Sequence, residues 1–230
     1  MTKNLTKIAI LSLLLTKGAF AEFLPFVELA GGMYNHSGDV SYEIKIDNKS
    51  AIKKTFDFDK RTTFVASVGL GFVYQFNNNV FLGARISTQN VGKNLEINKT
   101  ELFKVRGTPV FLNAILGFQV NEFRPYILAG YYDIRTKLNN DHSLLQYLEK
   151  EFINNKRRVL GGFYYGAGIE YEVSKSFTIL AEYNQGSSSS PELLDDQVAD
   201  LKGKVLLSAK LNTKYNYKMI KVGARYYFGR

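Results

Sequence analysis

The residues of this chain able to do chemistry are spread singly along it, and none forms a compact motif. Glu28, Asp133, Glu170, Glu172 and Glu182, with Arg85, Arg135, Lys221 and Arg225, share one trait. Each stands on the polar side of an alternating stretch whose other side is apolar. Acids and bases nearly balance in this set. If the polar side closes on itself, these groups must pair or be wetted, because burying an unpaired ion costs several kcal/mol. Glu170 and Glu182 are expected to pair with Arg85 and Arg225 and to fill the interior, giving a stabilising network in place of a transport path.

Acid–base and nucleophilic catalysis have less to work with. They need a histidine held beside a carboxylate or serine. The two histidines, His36 and His142, are expected in outer loops, with Asp39–His36 and Asp141–His142 as the candidate arrangements. Solvated loop histidines are the simpler expectation, so no enzyme is expected. Zero cysteine removes thiolate metal sites and disulfides. Asp57-x-Asp59 and Asp195-Asp196 lack the ligand spacing of an EF-hand loop, and no glycine-rich phosphate loop is present. No metal or cofactor is expected.

What must position the charged residues is a set of strands. In the last, Ile220, Val222, Ala224, Tyr226 and Phe228 fall on one face, and Lys221, Gly223, Arg225 and Tyr227 on the other. Such a period-2 stripe, apolar outside and polar behind, describes a membrane-spanning strand. Phe64 to Phe76, Val80 to Gln89, Val110 to Val120, Tyr164 to Val173 and Phe177 to Asn184 repeat it, as does Phe23 to Tyr34. Between Tyr126 and Arg135, Tyr126, Leu128, Tyr132 and Ile134 are expected outside, with Asp133 and Arg135 inside. Eight strands result. Their connections alternate between short turns (77–79, 121–124, 174–176) and long segments (about 35–60, 92–106, 136–158, 187–213). The expected architecture is an all-β, eight-stranded antiparallel up-and-down transmembrane barrel with four long outer loops. A soluble ligand barrel would carry its apolar face inward.

The first residues read as an export signal. Lys3 and Lys7 precede an apolar run over 8–15, and Ala19-Phe20-Ala21 is a small-x-small cleavage site. The domains expected are a signal peptide, 1–21, and a barrel, 22–230, in a bacterial outer membrane. The net charge of +9 is too diffuse for nucleic acid and suits anionic lipid.

Two outer loops are expected to carry short helices. Ser190-Pro191-Glu192 opens one, with Leu194, Val198 and Leu201 on a shared face; 141–155 suggests the other. Lys156, Arg157, Arg158, Lys204, Lys210, Lys214 and Lys218 form a basic collar. Either it snorkels to the headgroups, or it contacts anionic outer-leaflet lipid or host polyanions.

Gly162-Phe163-Tyr164-Tyr165-Gly166-Ala167-Gly168-Ile169-Glu170-Tyr171, Ser174-Lys175-Ser176 and Ile179-Leu180-Ala181-Glu182-Tyr183 resemble the closing hairpin of small OmpA/OmpX-like and opacity-type outer-membrane barrels. Arg124-Pro125-Tyr126-Ile127-Leu128-Ala129-Gly130-Tyr131 resembles their fifth strand. Val222, Ala224, Tyr226 and Phe228 resemble the terminal strand read by the barrel-assembly machinery, although Gly229 and Arg230 follow here. The resemblance covers about Phe23 to Phe228 and extends to porin-like surface antigens. It implies a monomeric or weakly associated surface barrel with exposed loops, acting as antigen, adhesin or envelope-integrity protein, with host or neighbouring-cell surface molecules as partners. A narrow porin for ions or small solutes is the alternative. No catalytic set comes with it.

Overall fold

Alternation of apolar and polar residues lets a strand bury one face while the other meets a second medium, and neighbouring strands must satisfy every backbone group when that medium is lipid. The computed structural model shows this solution. It describes residues 22–46, 49–57, 60–90, 95–97, 100–105, 108–138, 157–199 and 205–230. Their strands are β1 (Glu22–Ile46), β2 (Lys49–Asp57), β3 (Arg61–Gln75), β4 (Val80–Gln89), β5 (Leu95–Ile97), β6 (Thr100–Val105), β7 (Val110–Phe118), β8 (Phe123–Leu138), β9 (Arg157–Ser174), β10 (Phe177–Ala199) and β11 (Val205–Tyr227). Eight of them form a closed antiparallel circuit, β1-β3-β4-β7-β8-β9-β10-β11 and back to β1. β2 pairs with the far half of β1, and the β5–β6 hairpin adds to the end of β8.

The three short turns lie at one end, beside Glu22 and Tyr227. Asn79 and Asn121 adopt φ of 64° and 54° there, a left-handed conformation that asparagine tolerates better than most side chains. The outward face is apolar from Phe64 to Tyr74 on β3 and from Ile220 along β11 to Phe228 just past its end. That matches the roughly 9–11 residues a tilted strand needs to cross a bilayer.

Three sequence expectations change. First, β8 has the opposite phase. Tyr126, Leu128, Tyr132 and Ile134 are buried in the lumen, and Ile127, Ala129 and Tyr131 face out. Both faces of this strand are apolar, so its alternation carries no phase of its own. Second, two of the expected loops are largely strand. β1 continues through Asp39 to Ile46, and β10 and β11 run on as a long hairpin. Third, 190–199 is not a helix. These residues continue β10, with Leu194 in register with Leu211 and Val198 with Leu207. Pro191, which cannot donate to a ladder, falls within the register break between Ser190 and Leu194. Pairing with β11 satisfies more backbone groups than an isolated short helix would. The expected export signal, 1–21, and the helix over 141–155 lie outside the described residues.

Candidate functional site

The lumen is filled at mid-height by charge. Three of its ion pairs join residues that are directly opposite in the ladders: Glu28 with Arg225 (β1–β11), Glu182 with Lys221 (β10–β11) and Arg124 with Glu170 (β8–β9). Their separations are 2.6 Å for Arg225 Nη2–Glu28 Oε2, 3.1 Å for Lys221 Nζ–Glu182 Oε1 and 3.3 Å for Arg124 Nη1–Glu170 Oε2.

Other pairs join residues that are not opposite each other in a ladder. Arg85 on β4 has Gly71 and Asn113 as its ladder neighbours, so it reaches inward. Its Nη1 lies 2.8 Å from Glu28 Oε2 and 2.9 Å from Glu182 Oε2. Lys221 Nζ also lies 2.8 Å from Glu28 Oε1, and Arg225 pairs with Glu170. Hydroxyls and amides complete the carboxylates. Tyr126 donates to Glu182 Oε2 at 2.7 Å, Asn184 Nδ2 to Glu182 Oε1 at 2.7 Å, and Tyr227 to Glu170 Oε2 at 2.8 Å. All seven charged groups are at most 2% exposed. Such a network is stable only when nearly every member is satisfied.

Three carboxylates thus meet four cations. The surplus is Arg124, whose guanidinium lies 4.5 Å from the Phe81 ring centroid and 4.9 Å from that of Tyr227. Ring faces are negative and hold the extra charge. Arg225 lies likewise 4.2 Å from the Phe26 ring centroid. Glycine makes room for these rings: a Cβ on Gly71 would stand 2.5 Å from Phe26 Cζ, and one on Gly168 2.5 Å from the Tyr126 hydroxyl.

Toward the long-loop end, aromatic rings close over the charges. Tyr34 stacks on Tyr217 at 5.3 Å, Tyr132 meets Tyr217 edge-on at 5.1 Å, and Tyr34 and Tyr215 share a hydroxyl–hydroxyl hydrogen bond. Asn113 links the layers. With its oxygen turned inward it accepts from Tyr164 at 2.6 Å and from Arg85 Nη2 at 3.1 Å. Toward the short-turn end, Gly229 (φ 81°) turns Arg230 into the mouth. There Arg230 reaches Glu172 at 2.9 Å and Gln75 and Gln119 at 3.2 Å each.

Of the nine ionisable residues expected inside, the structure brings together Glu28, Arg85, Glu170, Glu182, Lys221 and Arg225. Glu172 sits apart, at the short-turn mouth. Asp133 falls on the outward face, because β8 is phased by Arg124; the Arg135 side chain is outside the described ones. Arg124 itself was missed. The β8–β9 ladder, which sets it opposite Glu170, is what places it inside. His36 is also corrected: it is not in a solvent loop but buried on β1, its ring 6.2 Å from that of Tyr215. Asp39, three positions on, falls on the opposite face, so an Asp39–His36 pair cannot form across one strand. His142, Lys156 and Leu201 lie outside the described residues. Arg157 and Arg158 begin β9, in register with Lys137 and Thr136. Val222, Tyr226 and Phe228 are exposed on the apolar face, with Ala224 between them. Among the described residues no group of three or more His, Asp or Glu could hold a metal ion.

The sequence matches the outer membrane protein beta-barrel domain family over residues 30–228. No curated protein matches it. Among solved structures it is similar to Ail, the attachment invasion locus protein of Yersinia pestis, at 18% identity over 86% of this chain and 98% of that one, with a TM-score of 0.38. It is also similar to the N-terminal β-barrel domain of Pseudomonas aeruginosa OprF (15%; 84% and 98%; 0.40) and to the outer membrane protease OmpT of Escherichia coli (10%; 92% and 100%; 0.47). At such identities the likeness concerns fold type, and nothing about activity follows from it.

Proposed function

The chain belongs to the outer membrane protein β-barrel domain family, and from that premise we propose that it is a non-enzymatic surface protein whose barrel is a closed anchor. Its task lies above the membrane, as an adhesin, exposed antigen or envelope-integrity protein. An export signal over 1–21 and recognition of Val222, Ala224, Tyr226 and Phe228 by the assembly machinery, followed by insertion as a monomer, belong to the same reading.

The ion-paired lumen is the observation that carries it. Arg85 spans the interior to hold Glu28 and Glu182 at once, where a conducting path would need water. The long strands add a second support. β1, β10 and β11 extend well past the apolar belt and present a charged sheet, with Asp39 in register with Lys214 and Glu43 with Lys210. Lys156, Arg157, Arg158, Leu194, Val198 and Leu201 are the proposed contact residues for host or neighbouring-cell surface molecules.

Single-channel recording of the folded barrel in a planar bilayer tests the closed anchor. A silent bilayer is expected; steady nanosiemens-scale openings would replace this reading with a porin for ions or small solutes. Reversing the charge of Lys156, Arg157 and Arg158 is expected to reduce binding of sulfated glycans, and unchanged binding would remove that partner class.

A further inference from the structure

The outer wall carries a groove of about 770 Å³ where the apolar belt ends on the long-loop side. It runs across β9, β10, β11, β1 and β3, and the ladders show how it is built. One row of outward side chains crosses all five strands at a single level: Tyr165, Gln185, Lys218, Asn35 and Thr62. Most of this row is tied together. Gln185 Nε2 donates to the Tyr165 hydroxyl, Tyr183 donates to Gln185 Oε1 at 3.1 Å, and Asn35 Nδ2 donates to Thr62 Oγ1 at 3.2 Å. Lys218 stands at its centre.

Lys218 differs from the other lysines of β11. Lys210 is in register with Glu43 and Asp195, and Lys214 with Asp39. Lys218 has only the amides of Asn35 and Gln185 opposite it. Like Lys214 it makes no ion pair among the described residues, and neither does Lys60, on the far rim of the same groove; what sets Lys218 apart is that no carboxylate stands opposite it. One row below, Met33 and Ile220 are more than half exposed and open the apolar belt.

We propose that this groove binds a single outer-leaflet lipid with a net anionic phosphate headgroup, one whose phosphate is not offset by a cation of its own. The phosphate sits between Lys218 and Lys60, and its remaining oxygens accept from Asn35 and Gln185. The acyl chains lie down the wall over Met33 and Ile220. A charge-assisted contact at the edge of lipid is worth more than one in water, and a row already hydrogen-bonded gives up little freedom on binding. A lipid is the occupant, because the polar row centred on Lys218 is continuous with the apolar strip directly beneath it and a free anion would leave that strip unused. This site differs from diffuse snorkelling, in which every collar lysine contributes alike.

The test is native mass spectrometry of the folded full barrel in neutral detergent, with phosphatidylglycerol, phosphatidylcholine and inorganic phosphate as separate probes. One retained phosphatidylglycerol is expected where phosphatidylcholine and phosphate are not retained. K218Q should weaken it about tenfold, K218Q/K60Q should abolish it, and K214Q should leave it unchanged. Equal retention of both lipids, full competition by inorganic phosphate, or an equal loss in K214Q would each overturn the proposal. If K218Q does not fold, N35D supplies a carboxylate in register with Lys218 and should produce the same loss; undiminished binding by N35D overturns it as well.

Discussion

Glu28 and Arg225 stand opposite each other in the ladder that joins the first barrel strand to the last, and Arg225 Nη2 lies 2.6 Å from Glu28 Oε2. The pair fastens the seam at which the barrel closes. The same carboxylate also accepts Arg85 and Lys221, so one acid serves three cations drawn from two strands. A cooperative network with such a hub should respond sharply to loss of the hub and weakly to loss of a peripheral member.

Glu28→Leu leaves Arg85, Lys221 and Arg225 buried without their shared acceptor. It is expected to cost about 3–5 kcal/mol, or to prevent folding in lipid. Urea titration of the refolded barrel, followed by heat-modifiable gel migration, reads the change. An unshifted midpoint would mean the lumen is wet and the pairs are weak.

Arg124 is the surplus cation, so its loss improves the charge balance while that of Glu170 worsens it. Arg124→Gln should therefore cost about 1–2 kcal/mol, chiefly ring contact and one hydrogen bond. Glu170→Gln leaves Arg124 without its carboxylate and Arg225 with Glu28 alone, and should cost about 3 kcal/mol. The same titration checks the order, and a reversal of the two variants would place the surplus elsewhere.

Arg85 is the side chain that bridges the lumen, from Glu28 to Glu182. Truncating it together with one acceptor, as Arg85→Ala with Glu28→Ala, removes a buried pair and leaves room for water. Measurable current steps are expected in planar bilayers from this double variant and none from the parent. Silence from both would show that the aromatic layer of Tyr34, Tyr132 and Tyr217 seals the barrel without the charges.

Asn79, at φ 64°, ends the first short turn. Asn79→Gly should be neutral or slightly stabilising. Asn79→Val should cost about 1–2 kcal/mol, since a β-branched residue resists the left-handed region. Equal midpoints for the two variants would mean that the turn relaxes to another type.

The barrel itself was legible in the sequence, because lipid outside and a polar interior impose an alternation on seven of the eight spans in which the apolar face is the aromatic-rich, uncharged one and the other mixes glycine with charge. Asn-rich and Ser-Lys-Ser turns marked the hairpin ends. The inward phase of Glu28, Arg85, Glu170, Glu182, Lys221 and Arg225 could be read strand by strand in the same way. β8 could not, because apolar residues fill both its faces; its phase is decided by Arg124 meeting Glu170 across the ladder. The outer segments were misread for a related reason. Ser190-Pro191-Glu192 has good local helix chemistry, but the long β10–β11 ladder satisfies more backbone groups than a short helix can. Period and turn chemistry are local quantities, so sequence carries them. Which carboxylate Arg85 reaches across the lumen, and that Lys218 alone among the lysines of its strand faces amides, depends on ladder registers and closure of the sheet, which arise only when distant segments meet.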